Sequence, residues 1–322
     1  MIKTIKPGLF STVQDEGRWG YQAYGMPVAG AMDRYASRVA NLLAGNRKGA
    51  AVLEMTMLGG AFEFESQCLV SLCGADMQPN LDGAKVPNWS AFQVAAGSLL
   101  SFDYVAAGCR TYLAVHGGIK VPLVLGSRST YTRAGVGGLE GRPLKVDDVL
   151  RVGNDVGSRA LPTTLPEQFT ALYDQELTLR VVMGPQDDMF APEGIRTFME
   201  SKYTVSNEAD RMGYRLEGPK IEHAGAADII SDALPEGAVQ VPAHGMPIVM
   251  MADRQTTGGY PKIATVIGPD LSLLAQGRPG DTVCFRSCSD REALEVLRSE
   301  EKRYFEIERF LEEQQSLVWA AC

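Results

Sequence analysis

The stretch VMMADRQTTGGYPKIATVIG, from Val249 to Gly268, sets Asp253, Arg254, Gln255, Thr256 and Thr257 between an apolar run and a Gly-Gly-Tyr-Pro-Lys turn. A carboxylate beside a guanidinium can orient a nucleophile, and the amide, hydroxyls and cations that follow, Tyr260 and Lys262 included, can donate to a developing oxyanion. PIVMM reads as a buried strand, so Asp253 and Arg254 are expected at its end, where a pocket mouth would lie. The plainer reading is a buried Asp–Arg pair that closes a strand end. The run of hydrogen-bonding residues before Gly-Gly exceeds what a turn alone requires.

Four further stretches carry similar chemistry. Residues 11–33, STVQDEGRWGYQAYGMPVAGAMD, interleave Gln14, Asp15, Arg18 and Asp33 with glycines, which let a backbone approach a ligand while Arg18 offers a two-pronged anchor for a carboxylate, carbonyl or phosphate. Residues 126–138, GSRSTYTRAGVGG, place Arg128, Ser129 and Thr130 in a loop suited to an anion. Residues 206–219 set Asn207, Arg211 and Arg215 around a Gly-Tyr turn, with an ion pair from Arg215 to Asp210 or Glu217 as the structural alternative. Asp187 and Asp188 follow a strand; in extended geometry neighbours point oppositely, so at most one of them would face a site. For each stretch the competing reading is a polar turn that satisfies its own backbone.

Other chemistries find no support. There is no GxxxxGK[ST], GVGGLEG at 135–141 lacks the strand and helix that a dinucleotide loop needs, and no GxSxG elbow occurs. The six cysteines, at 68, 73, 109, 284, 288 and 322, and the three histidines, at 116, 223 and 244, show no zinc-like spacing, so no metal site is expected. A net charge of -8 without a basic stripe argues against nucleic acid. No apolar run approaches the roughly 18 residues that span a bilayer, and MIKTIKPGLF lacks a signal peptide's apolar core. No membrane partner is expected, and the cytoplasm is the expected location.

The elements that would position these residues are mostly strands. Segments 68–75, 92–104, 110–117, 177–184, 247–254, 262–268 and 281–287 mix β-branched and aromatic residues between Gly, Pro, Asn or Asp. AAGSLLSF, KVDDVLRV and RPGDTVCF share a turn followed by a short apolar strand, as at a barrel or sandwich edge. Residues 31–46 read as a helix that stops at Gly45 and Asn46. From Ser289 the sequence predicts a long charged helix, opened by a Ser289/Glu292 capping box. The 322 residues, with RWGY at 18–21 and RMGY at 211–214, suggest two related domains: 1–157 and 177–288, joined by a linker at 158–176 and followed by a C-terminal helix and tail at 289–322.

Taken together, PGLFSTVQDEGRWGYQAYGMPVAGAMD, YLAVHGGIKVPLVLGSRSTYTRAGVGGLEGRPLKVDDVL, GPQDD, RMGYRLEGP and ADRQTTGGYPKIATVI resemble the biotin-dependent carboxyltransferase family, also called allophanate hydrolase subunit 2. The resemblance runs from Pro7 to about Phe285 and implies a mainly β fold of two cyclophilin-like β-barrel domains with few helices. It implies one component of a heteromeric ATP-dependent 5-oxoprolinase, a hydrolase that opens 5-oxoproline (pyroglutamate) to L-glutamate. The partners would be an allophanate hydrolase subunit 1 homologue, which is the B-type component of a 5-oxoprolinase, and a homologue of the A-type component. Two alternatives come with it: the carboxyltransferase component of a biotin-dependent urea-type carboxylase, and a non-enzymatic antagonist of a histidine-kinase inhibitor. ATP would act through the complex. Biotin would matter only in the carboxylase alternative and on another chain, because no Ala-Met-Lys-Met attachment motif occurs.

On that reading Asp253, Arg254, Asp15 and Lys262 are the expected catalytic residues. Asp253 or Asp15 orients or deprotonates the nucleophile, Arg18, Arg128 and Arg254 hold a carboxylate or activated carbonyl, and Lys262 neutralises developing charge. Gln14, Ser129, Thr130, Arg211, Gln255, Thr256, Thr257 and Tyr260 complete the expected substrate-binding set. The sequence departs from the family pattern at Glu16, where Leu is usual, and at His244 and Met246.

Overall fold

The computed structural model describes residues 1–153 and 160–320. The fold is mainly β, with four α-helices, α1 (Arg34–Leu43), α2 (Pro192–Glu200), α3 (Gly268–Leu274) and α4 (Asp290–Ala320), among the described residues. No helix among those residues is long and apolar enough to cross a membrane. The expected domain junction at 157/158 and the tail's Cys322 lie outside the described residues.

The chain forms two compact units that interleave in sequence. The first comprises Met1–Arg18, Ala29–Tyr173 and Glu301–Cys322; the second comprises Trp19–Val28 and Asp174–Glu300. In the first unit, one sheet has seven strands, in the order Ile119–Lys120, Val149–Val152, Ile2–Lys6, Ala61–Phe64, Leu99–Ser101, Asn80–Leu81 and Ala84–Lys85. The other has six: Thr163–Thr164, Ser90–Val94, Cys68–Asp76, Ala107–Val115, Val52–Thr56 and Phe10–Gln14. The expected single strand over 92–104 is therefore two strands in different sheets. Gly97 turns between them at φ +82°, a backbone conformation open to glycine at little cost.

The two central strands of the six-stranded sheet are buried almost throughout, so each must find apolar partners on both faces. The two-residue period supplies them. Val70, Leu72, Leu113 and Val115 join a core with Phe62, Phe64 and Leu100, while Leu69, Cys73, Tyr112 and Ala114 join a second cluster with Ala36, Val39, Ala40 and Leu43 of α1. Helix α1 starts where Asp33 caps it by accepting from the Ala36 N–H at 2.9 Å, and it gives way at Gly45, φ +70°. Tyr304 and Ile307 of α4 bury in the same cluster, which is why the C-terminal residues belong to the first unit. At the other end of α4, the Ser289 hydroxyl accepts from the Glu292 N–H, as the capping spacing predicts.

In the second unit, seven strands close a barrel: Glu176–Met183, Lys262–Val266, Ala238–Gln240, Ile248–Met250, Gly213–Glu217, Tyr203–Val205 and Thr282–Ser287. The first and last of these pair in parallel, Glu176 with Thr282 through Val181 with Ser287. Burial alternates along Glu176–Met183, where Leu177, Leu179 and Val181 are covered and Thr178 is exposed. Helix α2, opened by Pro192, stacks Phe198 on Phe285 at 4.3 Å between ring centroids. The strand expected at 247–254 ends at Met250, so the Asp253 region is a turn.

Candidate functional site

In the first unit the expected residues converge on a junction between the end of strand Phe10–Gln14 and the loop at 127–130. Asp15 organises it. Its Oδ1 accepts from the Ser127 hydroxyl at 2.6 Å, the Ser129 hydroxyl at 2.5 Å and the Gly17 N–H at 2.8 Å; its Oδ2 accepts from the Arg128 N–H at 2.6 Å. Four donors on one carboxylate leave its oxygens well satisfied and tie two distant segments together. Gln14 is fully buried and donates to Thr130 O at 3.1 Å and to the Thr12 hydroxyl at 3.0 Å, while its Oε1 has no hydrogen-bond partner among the described residues. Thr130 returns its hydroxyl to Val13 O at 2.9 Å.

Arg18 is fully buried and donates through Nη2 to the Ser129 carbonyl. Gly137, at φ +71°, makes that possible: a Cβ there would lie 2.1 Å from Ser129 O and 2.5 Å from Arg18 Nη2. The glycine-rich run 135–141 thus packs under the anion-type loop. Its N–H groups at Gly135, Gly138 and Gly141 bond to carbonyls of Thr132, Arg128 and Gly137, which removes them as a phosphate cradle. Arg128 is half-buried, and its Nε donates to Val121 O at 3.1 Å.

The first unit also holds a buried polar network that sequence reasoning missed. Glu54 Oε2 accepts from the Met32 N–H at 2.9 Å and from the Tyr112 hydroxyl at 2.9 Å, and that hydroxyl accepts from the Asp33 N–H at 2.7 Å. Arg110 Nε stands 4.0 Å from Glu54 Oε1. Tyr173 donates to Asp33 Oδ2 at 3.4 Å. Burial pushes both phenols well above their ordinary range, and the nearby carboxylates, Glu54 and Asp33 for Tyr112 and Asp33 for Tyr173, add to it. The available signal was Glu54 itself, a carboxylate inside the apolar run VLEMT.

In the second unit Asp253 and Arg254 are each 4% exposed, so both are buried instead of standing at an open mouth. Asp253 meets Arg211 on two prongs, Nε to Oδ2 at 3.0 Å and Nη2 to Oδ1 at 2.9 Å. Arg254 turns away to donate to Leu234 O at 3.0 Å and Met251 O at 3.3 Å. The buried Asp–Arg pair expected as the plain alternative thus exists, but across 42 residues and not between neighbours. Lys262 is also buried, and its Nζ donates to Asp232 Oδ2 at 2.9 Å and Ala233 O at 3.4 Å. That hydrogen bond, with the Ala233 N–H and the ammonium charge, holds the Asp232 carboxyl below its ordinary range.

The remaining expected residues lie nearer the surface. Gln255 and Thr257 are exposed, Thr256 is half-buried, and Tyr260 is exposed while its carbonyl accepts from Gln240 at 3.1 Å. Thr257 belongs to a two-stranded ribbon with Asp232–Ala233, which brings Asp232 to Lys262. Asp187 is half-buried and Asp188 exposed on a single 3-10 turn. Arg215 pairs with Glu208 at 3.5 Å; the expected partner Asp210 instead accepts the N–H groups of Met212 and Gly213.

Comparison with known proteins fits this geometry into one family. Residues 24–287 match the family described as "Carboxyltransferase domain, subdomain A and B". The chain is 40% identical over 306 residues to the C component of 5-oxoprolinase from Escherichia coli, covering 95% of this chain and 97% of that protein. It is 36% identical over 313 residues to the C component of 5-oxoprolinase from Haemophilus influenzae, covering 97% and 99%. The crystal structure of K. lactis urea amidolyase superposes with a TM-score of 0.90 at 30% identity over 95% of this chain and 20% of that one. The chain belongs to the family of carboxyltransferase domains with subdomains A and B.

Proposed function

We propose that this chain is the C component of a cytoplasmic, ATP-dependent 5-oxoprolinase and acts with homologues of the A and B components to open 5-oxoproline to L-glutamate. The observation that carries the reading is the 40% identity to the C component of a 5-oxoprolinase along 97% of that protein's length. Opening the lactam builds negative charge on its carbonyl oxygen, which fixed donors must stabilise. In the first unit Arg18 is the proposed donor to that oxygen and Arg128 the proposed anchor for a substrate carboxylate, with Gln14, Ser129 and Thr130 beside them and Asp15 as the residue that positions the loop. In the second unit Asp253, fixed by Arg211, is the proposed carboxylate that orients a nucleophile. Arg254 and Lys262 supply positive charge there, while Gln255, Thr256, Thr257 and Tyr260 offer surface contacts. ATP is assigned to a partner chain.

A second reading is carboxyl transfer from carboxybiotin, borne on another chain, to a urea-like acceptor; the 0.90 TM-score to urea amidolyase favours it. One assay separates the two. The purified chain and its partners are tested for ATP hydrolysis dependent on 5-oxoproline, and for ATP hydrolysis dependent on urea and biotin. Activity with 5-oxoproline alone supports the first reading, and activity only with urea and biotin overturns it. In the same assay, unchanged turnover in both Asp253→Ala and Arg254→Ala would remove those two residues from the chemistry.

A further inference from the structure

The first unit contains a pocket of about 620 Å³ whose wall includes Glu16, Arg47, Gly49, Gly118, Lys120 and Arg128. Its size lies within the roughly 300–1,000 Å³ of small-molecule sites. Three cations meet one carboxylate there, and that carboxylate is already engaged: Glu16 Oε1 accepts from Arg38 Nε at 2.9 Å. Among the described residues Arg47, Lys120 and Arg128 form no ion pair. Cations gathered in a cleft repel one another and raise the local concentration of anions.

Two of the three cations are also held in place, Arg128 by hydrogen bonds and Lys120 by packing. Arg128 is anchored at both its main-chain N–H, by Asp15, and its Nε, by Val121 O, so its two terminal nitrogens are fixed with no partner among the described residues. Lys120 lies across Gly153, where a Cβ would come within 2.2 Å of its Cε. Gly49 leaves room for Glu16, since a Cβ there would lie 2.9 Å from its Oε2. A planar guanidinium with two open donors and an ammonium lining the same pocket suit a carboxylate, which takes two parallel hydrogen bonds.

We infer that Arg47, Lys120 and Arg128 form a subsite for the carboxylate of a small organic acid. Resting on the 5-oxoprolinase reading, that acid is 5-oxoproline, held by the carboxylate that does not react. Arg47 and Lys120 are additions to the residues expected from the sequence.

The test uses the complex of the full chain with its partners. Lys120→Gln and Arg47→Gln are expected to raise KM for 5-oxoproline about tenfold each, the scale of one lost charged hydrogen bond, with kcat within about twofold. Lys120→Arg should restore most of the loss, and Lys85→Gln, on a separate exposed strand, should change nothing. An unchanged KM in both Gln variants overturns the subsite.

If the wild-type complex shows no turnover with 5-oxoproline, the functional reading fails, and calorimetric titration of the full chain decides the subsite separately. Binding of 5-oxoproline that is lost in Lys120→Gln and absent with uncharged 5-oxoprolinamide supports it. Equal binding of the amide, no binding of the acid, or Lys120-dependent binding of inorganic phosphate alone overturns it.

Discussion

Arg211 and Asp253 form a two-pronged ion pair at 2.9 and 3.0 Å, and each side chain is less than a tenth exposed. A charge pair this deep leaves a stranded cation when one partner is cut away. Asp253→Ala is therefore expected to cost about 3–5 kcal/mol of stability, and replacing both residues with apolar side chains of similar volume should recover much of it. Chemical denaturation of the single and double variants checks this. It also separates a folding loss from a catalytic one in any activity assay on Asp253.

Asp15 accepts four hydrogen bonds from segments more than a hundred residues apart and from its own turn. Asp15→Asn keeps the shape but turns one acceptor into a donor that faces donors. A loss of about 1.5–3 kcal/mol is expected, the scale of charge-assisted hydrogen bonds. Hydrogen exchange should show faster exchange at Arg128 and Gly17, whereas a purely catalytic Asp15 would leave both rates unchanged.

Gly137→Ala tests the packing of the glycine run under Ser129. A left-handed backbone costs a side-chain-bearing residue about 1–3 kcal/mol, and the added Cβ would collide with Ser129 O and Arg18 Nη2. A lower melting temperature with weakened substrate binding is expected. Gly135→Ala, where a Cβ meets nothing within 4 Å, should show the backbone cost alone.

The Lys262–Asp232 contact sets a pH dependence. Lys262 holds the Asp232 carboxyl below its ordinary range, so the unfolded chain takes up a proton at Asp232 before the folded chain does. The contribution is complete above the unfolded value of about 3.9 and is lost as pH falls through the lower folded value. Wild type should lose stability on acidification below about pH 4 more steeply than Asp232→Asn. Acid unfolding curves of the two proteins compare them directly.

Much of the architecture was legible because the sheet period is written in the sequence: CLVSLCGA and RTYLAVHG read as strands, and they form the buried centre of one sheet. The long C-terminal helix and its Ser289 cap were legible for the same reason, a local signal with a local cause. The family was legible from five ordered motifs. Partner choice was not: Asp253 is adjacent to Arg254 in sequence but pairs with Arg211, and Arg215 finds Glu208 instead of Asp210 or Glu217. Arg211 and Asp253 lie in turns 42 residues apart that the fold brings together, and Glu208 meets Arg215 through the shape of the turn before strand Gly213–Glu217; spacing along the chain encodes neither. The Tyr112–Glu54–Asp33 network was hidden likewise, since its members come from three separate elements.

The parallel pairing of Glu176–Met183 with Thr282–Ser287 has a consequence for how the protein is born. The barrel's first strand leaves the ribosome long before its last, and the seam cannot close until about a hundred further residues have been made. Closing so large a loop carries an entropic cost before any seam contact rewards it, which slows folding. During that interval the nascent barrel exposes two unpaired strand edges, the period when it is most open to aggregation and most dependent on chaperones.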